Sequence, residues 1–368
     1  MKLERVVISG GGTGGHIFPA IAIADEIKRR NPDAELLFVG ANGKMEMEKV
    51  PAAGYKIEGL TIAGFQRRIT FSNFLLPFKI IKSLLKARSI LKNFKPQVVV
   101  GVGGYASGPT LKAATLLRIP TLVQEQNSFP GKTNKMLSKN VNTLCTAYEG
   151  LERFFPKEKI VLTGNPVRSD IVKIDGKRED AFSYYGLDPL KPAILVIGGS
   201  LGARTLNQSI LNHYDLLKEK DIQVLWQCGK LYFDGLQKEL KGKEAPGIKL
   251  VQFIDRMDLA YAMADVIISR AGAISVSELC LIGKPVILVP SPNVAEDHQT
   301  HNAMALVRQN AAILVRDIVA KEELIPEVLE LFENEEKRKI LAVEIAKLAK
   351  PAATSHIVNE LENIARAI

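Results

Sequence analysis

Short apolar runs alternate with longer amphipathic stretches along the whole chain. This alternation is typical of βαβ units, and therefore of parallel sheets covered by helices. In the first half the pattern predicts strands at residues 6–9, 36–39, 98–102, 121–124, 143–146 and 160–162. In the second half it predicts strands at residues 193–197, 224–227, 249–253, 266–269 and 286–289. The chain is therefore predicted to be an α/β protein.

The two halves follow the same plan, because each opens with an apolar strand that runs into glycines and then into a helix. GGGTGGH (residues 10–16) follows VVIS, and GGSLGA (residues 198–203) follows ILVI. We predict two doubly wound domains with a ligand between them. Their joint is expected near Gly164-Asn165-Pro166, since a proline disfavours helix in the residue before it. The end of the chain predicts a helix at residues 355–367.

Length and composition agree with two ordinary globular domains. The chain has 368 residues, of which 46% are hydrophobic and 24% are charged, and this excludes disordered and collagen-like classes. Its three cysteines form no C-x-x-C pair, so a disulfide framework is not expected and a reducing cytoplasm fits. The first residues predict no signal peptide, and no apolar run approaches the ~20 residues of a membrane-spanning helix.

The net positive charge of the chain comes from its first half. Residues 1–164 carry 24 basic and 12 acidic side chains, whereas residues 165–368 carry 25 and 28. Between Glu58 and Glu125 there is no carboxylate, although ten lysines and arginines fall in that gap. An anionic partner is therefore expected.

Residues 71–94 place Leu, Ile and Phe beside Lys and Arg at roughly helical spacing. Such a helix can lie on an anionic bilayer or can simply cover the sheet, and the missing acids favour the membrane. The basic region at residues 67–95 is thus predicted to dock to an anionic membrane surface. Nucleic acid is not expected as a partner, because no recognised binding motif accompanies the charge.

The first glycine loop fits G-x-G-x-x-G through Gly10, Gly12 and Gly15. Such a loop at a helix N-terminus can bring main-chain amides close to an anion. A nicotinamide enzyme would need an acidic residue at the end of the second strand, but residues 39–42 read VGAN, so a dehydrogenase is disfavoured. His16 beside this loop can be a general base, a donor to a ligand oxygen, or merely an exposed helix-capping residue.

The second half offers two further glycine or small-residue entries into helices. The loop at residues 198–203 can bind a diphosphate through its amides and the Ser200 hydroxyl, or can be a tight turn that needs glycine for packing. RAGAISVSE (residues 270–278) follows the strand VIIS. Its last residue, Glu278, can accept hydrogen bonds from the vicinal hydroxyls of a ribose, or can be a solvated helix acid.

Polar residues then follow the strand at 286–289, as PSPN at 290–293 and DHQTHN at 297–302. At the carboxyl end of a parallel strand they suit recognition of sugar hydroxyls. No D-x-D occurs in the chain, so a metal-bridged nucleotide-sugar site is not expected. A diphosphate would instead be neutralised by helix N-termini and a cation such as Arg168.

Six motifs stand in a fixed order along the chain. They are GGGTGGHIFPA (residues 10–20), GVGGYASGP (101–109), QEQN (124–127), TGNPVR (163–168), GGSLGA (198–203) and RAGAISVSE (270–278). In this order and spacing they resemble the MurG family of bacterial glycosyltransferases. The resemblance implies a GT-B fold, which consists of two Rossmann-like domains with an interdomain cleft. Residues 1–164 with a C-terminal helix at about 351–368 would face the acceptor and the membrane, and residues 165–350 would bind the UDP-sugar.

The resemblance also implies a reaction. N-acetylglucosamine would pass from UDP-N-acetylglucosamine to the muramyl 4-hydroxyl of undecaprenyl-pyrophosphoryl-MurNAc-pentapeptide (lipid I). The product would be lipid II, a precursor in peptidoglycan synthesis. The transfer would be inverting and independent of metals and cofactors, and the protein would be peripheral on the cytoplasmic face of the bacterial inner membrane.

By the same resemblance His16 would be the catalytic base and no residue would bind a metal. The donor would contact Thr13, Gly14, Gly15, Asn127, Arg168, Ser200, Ile254, Ala273, Ile274, Ser275, Val276, Ser277, Glu278 and Gln299. Within that set Ile254 would touch the uracil and Glu278 the ribose. The acceptor would contact Gly104, Tyr105 and Asn127. Many relatives carry two adjacent glutamines where this chain has Gln299-Thr300, so one sugar contact is lost or is made by His301 or Asn302.

Two other functions share parts of this pattern. A UDP-N-acetylglucosamine epimerase would have the same architecture and bind the same donor. It would need several acid or base side chains at the ligand and no lipid-facing surface, so the carboxylate-free basic stretch argues against it. A non-catalytic UDP-sugar binder is the other alternative.

Overall fold

The structure is a computed structural model that describes residues 2–62, 76–168, 171–199 and 201–366. The chain divides into two compact units. The first consists of Met1–Val167 and Lys350–Ile368, and the second of Arg168–Ala349. Each unit is built on one parallel sheet with helices on both faces.

The first unit contains a seven-stranded sheet. Its strands are Arg5–Ser9 (β1), Glu35–Ala41 (β2), Lys56–Leu60 (β3), Val98–Gly101 (β4), Thr121–Glu125 (β5), Thr143–Thr146 (β6) and Ile160–Leu162 (β7). Their order is β3-β2-β1-β4-β5-β6-β7, and every pair is parallel. The helices are Gly14–Arg30 (α1), Glu46–Ala52 (α2), Leu76–Phe94 (α3), Ser107–Leu116 (α4) and Lys132–Leu137 (α5).

The second unit repeats this plan with six strands. They are Ala193–Ile197 (β8), Gln223–Gln227 (β9), Ile248–Val251 (β10), Val266–Ser269 (β11), Val286–Leu288 (β12) and Ile313–Leu314 (β13), in the order β10-β9-β8-β11-β12-β13. The helices are Arg178–Tyr185 (α6), Arg204–Asn212 (α7), Tyr214–Glu219 (α8), Phe233–Glu239 (α9), Met257–Met263 (α10), Ala273–Ile282 (α11), His298–Val307 (α12), Ala320–Glu333 (α13) and Glu335–Lys347 (α14). In both sheets the order reverses beside the first strand, which is the point where such folds bind ligands.

Each sheet is buried on both faces, which explains why its strands are continuous apolar runs. Along β1, Val6 and Ile8 join one hydrophobic cluster and Val7 joins the other. This is the two-residue period of a strand. The second sheet is sandwiched in the same way between two clusters.

The last helix, Ala353–Arg366 (α15), packs in the first unit against α1 and strands β4, β5 and β6. Arg30 at the end of α1 fixes it, because its Nη2 donates to the Ser355 carbonyl (2.9 Å) and hydroxyl (2.6 Å). The Nη1 atom of Arg30 donates to Asn359 Oδ1 at 2.7 Å. The helix predicted at 355–367 thus begins two residues earlier in the structure, and residue 367 lies outside the described residues.

The eleven predicted strands are all present, with ends that differ by at most two residues. Two strands were not predicted, namely β3 and β13. Both lie at sheet edges. The sequence of β3, KIEGL, carries charges on its exposed positions, and β13 has two residues, so neither forms an apolar run. The predicted strand at 249–253 ends at Val251 instead, and Phe253 is 57% exposed.

Candidate functional site

The first glycine loop joins β1 to α1. Thr13 is extended (φ −147°, ψ 160°) and caps α1, and its carbonyl accepts hydrogen bonds from the amides of His16 and Ile17, both at 3.1 Å. Gly14 and Gly15 form the first helical turn, and Gly15 and Thr13 are exposed. The loop therefore presents the N-terminus of a 17-residue helix at the carboxyl edge of the first sheet.

A buried carboxylate lies under this loop. Glu46, at the start of α2, is 1% exposed. Its Oε2 accepts a hydrogen bond from the Gly12 amide (2.8 Å), and its Oε1 accepts one from the Ala41 amide at the end of β2 (3.0 Å). A Cβ atom at Gly11 would lie 2.2 Å from the carboxyl carbon of Glu46. Only glycine therefore lets the carboxylate approach the loop this closely.

His16 lies in the first turn of α1 with its ring facing back toward the loop. Its Nδ1 lies 3.0 Å from the Gly11 carbonyl oxygen. A carbonyl oxygen can only accept, so Nδ1 carries a hydrogen, and whenever the ring is neutral the lone pair lies on Nε2. The glycine segment after β4 packs against this pair, since a Cβ atom at Gly103 would lie 2.9 Å from Nε2 and one at Gly104 would lie 2.3 Å from the Gly11 oxygen.

Tyr105 follows this segment and is 48% exposed. Nearby in the fold, β5 ends in a second buried carboxylate, Glu125, which is 1% exposed. Its Oε1 accepts from the amide (3.0 Å) and the side-chain nitrogen (3.2 Å) of Asn127, and its Oε2 accepts from Asn134 Nδ2 (2.7 Å). These bonds fix the position of Asn127, which is half-buried.

In the second unit the loop after β8 opens on a cavity of about 400 Å³. The cavity lies at the carboxyl ends of β8 and β11. Its lining consists of Ile197, Gly198, Gly199, Gly202, Ala203, Arg204, Thr205, Tyr232, Ser269, Arg270, Gly272, Ser275, Ser291, Asn293, Gln299 and Asp317. Glycines, hydroxyls and cationic side chains dominate this lining, which suits a phosphorylated and hydroxylated ligand.

Helix α11 begins at the cavity. Gly272 is its N-cap (φ −64°, ψ 142°), and the Gly272 carbonyl accepts from the Val276 amide at 2.9 Å. The side chains of Ala273, Ile274, Ser275 and Ser277 are half-buried, whereas Val276 is 1% exposed and packs in the core. The Ser277 hydroxyl donates to the Ala273 carbonyl at 3.1 Å.

Glu278 lies one turn after Ser275 and is half-buried. The hydroxyl of Tyr261, a residue of α10 that is 1% exposed, donates to Glu278 Oε2 at 2.9 Å. Burial and the neighbouring carboxylate raise the pKa of the Tyr261 phenol well above its ordinary value. The phenol therefore stays protonated and remains a donor to Glu278.

An ion pair lines another side of the cavity. Arg270 forms an ion pair with Asp317 and donates to the carbonyls of Val289 (3.0 Å) and Pro290 (3.2 Å). Asp317 also accepts from the Thr205 hydroxyl at 2.9 Å. Arg270 and Asp317 together thus connect the ends of β11 and β12 with the start of α7 beside the second glycine loop.

The remaining predicted donor residues of the second unit lie in different environments. Gln299 lines the cavity, and its Oε1 accepts from the Ser291 amide at 2.8 Å. Ile254 is 3% exposed and belongs to the core. Arg168 is exposed, and Ser200 lies outside the described residues.

Within residues 2–62, 76–168, 171–199 and 201–366, no group of three or more His, Cys, Asp and Glu side chains is arranged to hold a metal ion. The polar groups gathered in each unit are main-chain amides, hydroxyls, carboxylates and guanidinium groups. Such sets bind sugars and phosphates through hydrogen bonds.

The chain matches two domain families along most of its length. The glycosyltransferase family 28 N-terminal domain covers residues 6–146, and the glycosyltransferase family 28 C-terminal domain covers residues 193–357. The chain belongs to glycosyltransferase family 28. The two matches lie in both units, so membership of family 28 is not confined to one of them.

Two relatives are named UDP-N-acetylglucosamine–N-acetylmuramyl-(pentapeptide) pyrophosphoryl-undecaprenol N-acetylglucosamine transferase. The protein of Cytophaga hutchinsonii is 56% identical over 99% of this chain and 97% of its own length. That of Flavobacterium psychrophilum is 54% identical over 98% of both chains. The crystal structure of Acinetobacter baumannii MurG is 30% identical, covers 98% of this chain and 99% of that one, and has a TM-score of 0.78. The resemblance to the MurG family and the GT-B fold are thereby confirmed.

Epimerases are also among the solved structures that resemble this chain, but the similarity is lower than for MurG. UDP-N-acetylglucosamine 2-epimerase from Neisseria meningitidis has a TM-score of 0.66 over 98% of this family 28 chain, at 15% identity. At that identity the likeness shows a shared fold.

Sequence reasoning missed three residues that organise the site, namely Glu46, Tyr261 and Asp317. Glu46 is the first acidic residue after β2, but it lies five residues beyond the strand's last residue, Ala41, and so does not fit the pattern of an acid at the strand end. Tyr261 lies in an apolar run and carries no sequence signal of its partner. Asp317 belongs to a polar turn after β13, a strand that was itself not predicted.

Proposed function

We propose that this family 28 glycosyltransferase transfers N-acetylglucosamine from UDP-N-acetylglucosamine to the muramyl 4-hydroxyl of lipid I, which gives lipid II. The second unit would bind the donor, and the first unit would bind the acceptor. The observation that carries the proposal is the cavity at the second glycine loop. It combines a helix N-terminus, glycine amides and hydroxyl groups, as a nucleotide diphosphate requires.

The donor is expected to lie along this cavity and the first turns of α11. The diphosphate would accept hydrogen bonds from main-chain amides at Gly198, Gly199 and the start of α11, assisted by the cation of Arg168 and the hydroxyl of Ser200. Glu278 would accept hydrogen bonds from the ribose, and Ile254 would touch the uracil. Gln299 and the remaining α11 residues, Ala273, Ile274, Ser275, Val276 and Ser277, complete the part of the proposed donor set that lies in the second unit.

Charge on the leaving diphosphate is then stabilised by dipoles that need no metal ion. Activity in the presence of a strong chelator is the corresponding expectation. Loss of turnover in chelator, restored by added divalent cation, would contradict this part of the proposal.

The acceptor is expected at the first unit, against Gly104, Tyr105 and Asn127. Thr13, Gly14, Gly15 and Asn127 of the same unit are proposed as contacts of the donor. His16 Nε2 would take the proton of the muramyl 4-hydroxyl while that oxygen attacks the anomeric carbon. The bond from the anomeric carbon to the UDP oxygen breaks, and UDP leaves with both electrons. Attack opposite the leaving group inverts the anomeric configuration.

The test is the release of UDP by purified protein given UDP-N-acetylglucosamine and a lipid I analogue, separately and together. Release is expected only when both are present, with one disaccharide formed per UDP. Release of UDP with N-acetylmannosamine in the absence of acceptor would instead identify an epimerase. Binding of UDP-N-acetylglucosamine without any turnover would identify a non-catalytic binder.

We further propose that α3 docks the protein to an anionic membrane. Three of its large apolar side chains are exposed, namely Ile80 (44%), Ile81 (55%) and Leu85 (60%). Lys82 lies among them and is exposed, whereas Ala87 and Leu91 on the same helix are buried. Apolar side chains that enter the interface and lysines that contact anionic headgroups would bind together. Residues 67–75 of the basic region lie outside the described residues.

None of the helices in the described ranges is long and apolar enough to cross a bilayer. The proposed location is peripheral, on the cytoplasmic face of the inner membrane, where the polyprenyl tail of lipid I is embedded. Nucleic acid is not proposed as a partner.

Vesicle binding tests this surface. Replacing Lys82 by Glu and Leu85 by Asp should weaken binding to phosphatidylglycerol vesicles by roughly tenfold or more. Turnover of a soluble acceptor should stay within about twofold. The control is Lys218→Glu, which makes the same lysine-to-glutamate change at an exposed position on α8 of the second unit. Unchanged vesicle binding by the α3 double variant would reject the docking surface.

A further inference from the structure

We propose that Glu46 is a positioning residue for the transfer reaction, because its buried carboxylate fixes the first glycine loop and, through the Gly11 carbonyl, the ring of His16. This inference rests on the proposed role of His16 as the base. The two hydrogen bonds of Glu46 go to the main chain of Gly12 and Ala41, so it would act on His16 through the loop.

The first step of the argument is the geometry of the carboxylate. Both of its oxygens accept main-chain hydrogen bonds, one from Gly12 (2.8 Å) and one from Ala41 (3.0 Å). These bonds tie the loop after β1 to the end of β2. A Cβ atom at Gly40 would lie 2.6 Å from Glu46 Cγ, and one at Gly11 would lie 2.2 Å from its Cδ. The side chain therefore fills a space bounded by glycine main chain.

The second step is the link from the loop to His16. Gly12 adopts a positive φ of +87°, and the peptide that joins it to Gly11 carries both the amide bound by Glu46 and the carbonyl bound by His16 Nδ1. A peptide unit is planar. An anion that fixes its N–H therefore also fixes the direction of its C=O.

The third step is chemical. A hydrogen bond to one ring nitrogen decides which tautomer a neutral histidine adopts. The Gly11 carbonyl keeps the hydrogen on Nδ1, and so keeps Nε2 able to take a proton. Without a fixed carbonyl the ring can adopt the other tautomer, in which Nε2 already carries hydrogen and cannot act as a base.

The fourth step concerns the loop as a ligand site. Because the carboxylate already satisfies the Gly12 amide, this amide does not bind a phosphate. The first loop is therefore assigned to holding His16 in position, whereas phosphate binding on this loop would have to use the amides of Thr13, Gly14 and Gly15 at the helix start.

The experiment compares Glu46→Gln with Glu48→Gln, which alters an exposed glutamate on the same helix. Glutamine must place its NH₂ group against one of the two main-chain N–H groups, so one hydrogen bond is lost and two donors face each other. In the full-length protein, kcat for the lipid I analogue should fall by about 10- to 100-fold in Glu46→Gln, while the KM for UDP-N-acetylglucosamine changes less than about twofold. The Glu48→Gln control should match the unchanged protein.

The second measurement is the ¹⁵N NMR spectrum of the His16 ring. Signals of an Nδ1–H tautomer are expected in the unchanged protein and in Glu48→Gln, and a mixture of tautomers in Glu46→Gln. Glu46→Asp, which keeps the charge but is shorter, should give intermediate values of both kcat and tautomer ratio. It also serves as the test variant if Glu46→Gln does not fold.

Three results would overturn the inference. They are an unchanged kcat in folded Glu46→Gln, a lowered kcat with an unchanged His16 spectrum, and a loss confined to the KM of the donor. Failure of the unchanged protein to transfer sugar would reject the proposed function alone. The tautomer comparison would still decide whether Glu46 positions His16.

Discussion

The two glycine loops follow the same sequence plan, but different groups face their main-chain amides. Each follows the first strand of its unit and leads into a helix. In the first loop the Gly12 amide is bound by the protein's own Glu46 carboxylate. The second loop lines an open cavity of about 400 Å³. A strand–glycine–helix pattern thus predicts a place where main chain can approach an anion closely, but a neighbouring side chain decides whether that anion is internal or a ligand.

Glycine is also required for different reasons within the second loop. At Gly202 (φ +87°) a Cβ atom would lie 2.1 Å from the Cys228 carbonyl oxygen, so both conformation and space exclude a side chain. At Gly199 (φ +81°) no atom lies within 4 Å of such a Cβ atom. The loop therefore contains one glycine required by packing and one required by conformation alone.

The largest expected effect is a loss of stability, and it should differ between alanine variants of these two glycines. Gly202→Ala should destabilise the second unit by about 3 kcal/mol, from main-chain overlap together with left-handed strain. Gly199→Ala should cost about 1 kcal/mol, from strain alone. For a domain of this size the melting temperature would fall by roughly 6–12 °C and 2–4 °C respectively, measured by calorimetry. Equal losses would show that packing against Cys228 is not what requires Gly202.

A second prediction separates the ligands of the two units. Glu278→Ala should weaken UDP binding by about 2 kcal/mol, or roughly 30-fold, because a charge-assisted hydrogen bond to the ribose is lost. His16→Ala should leave UDP affinity within about twofold and lower kcat. Isothermal titration with UDP and turnover assays measure the two quantities. If His16→Ala weakened UDP binding as much as Glu278→Ala, the assignment of the donor to the second unit would fail.

The sequence predicts the positions of the glycine loops well, but it does not predict which side chains bind their main-chain amides. The reason is physical. Apolar runs and glycines act locally, so strands such as β6, β7, β8 and β11 were predicted with their observed ends. The partner of the Gly12 amide lies 34 residues away in the chain. Whether Glu46 reaches that amide depends on how α2 packs after β2, which no local pattern encodes.

The same limit applies to Glu278. Its place near the start of α11 follows from the small residues before it, whereas its bond to Tyr261 depends on where the fold places α10. An apolar neighbourhood predicts that Tyr261 is buried, and its hydroxyl must then find a partner. Which partner it finds is decided by tertiary structure.

The third prediction concerns alkaline pH, and it distinguishes the second unit from the first. Burial lowers the pKa of Lys284 to about 8, from 10.5 in an exposed lysine. Its ammonium group donates to the carbonyls of Ala262 (2.8 Å) and Ala264 (2.6 Å). Between these two pKa values the unfolded chain binds more protons than the folded chain, so stability of the second unit should rise with pH.

The rise from about pH 8 to about pH 9.5 should amount to about 1.5 kcal/mol. Denaturant unfolding at both pH values measures it. Lys284→Met removes the titrating group and should lose this increase, which separates Lys284 from other groups that titrate in the same range. An equal increase in Lys284→Met would contradict the assignment.

The smallest effect tests whether the second unit has its own positioning residue, as Glu46 is proposed to be in the first. Tyr261→Phe removes the hydroxyl that donates to Glu278 Oε2 at 2.9 Å and leaves the ring in the core. The carboxylate would then be held less firmly, and UDP binding should weaken by about 1 kcal/mol, or roughly fivefold. If Tyr261 acts through the contact between Glu278 and the ribose, the same substitution should have almost no effect on binding of a 2′,3′-dideoxy analogue of UDP. An equal loss for both nucleotides would mean that the hydroxyl supports the packing of α10 and not the orientation of Glu278.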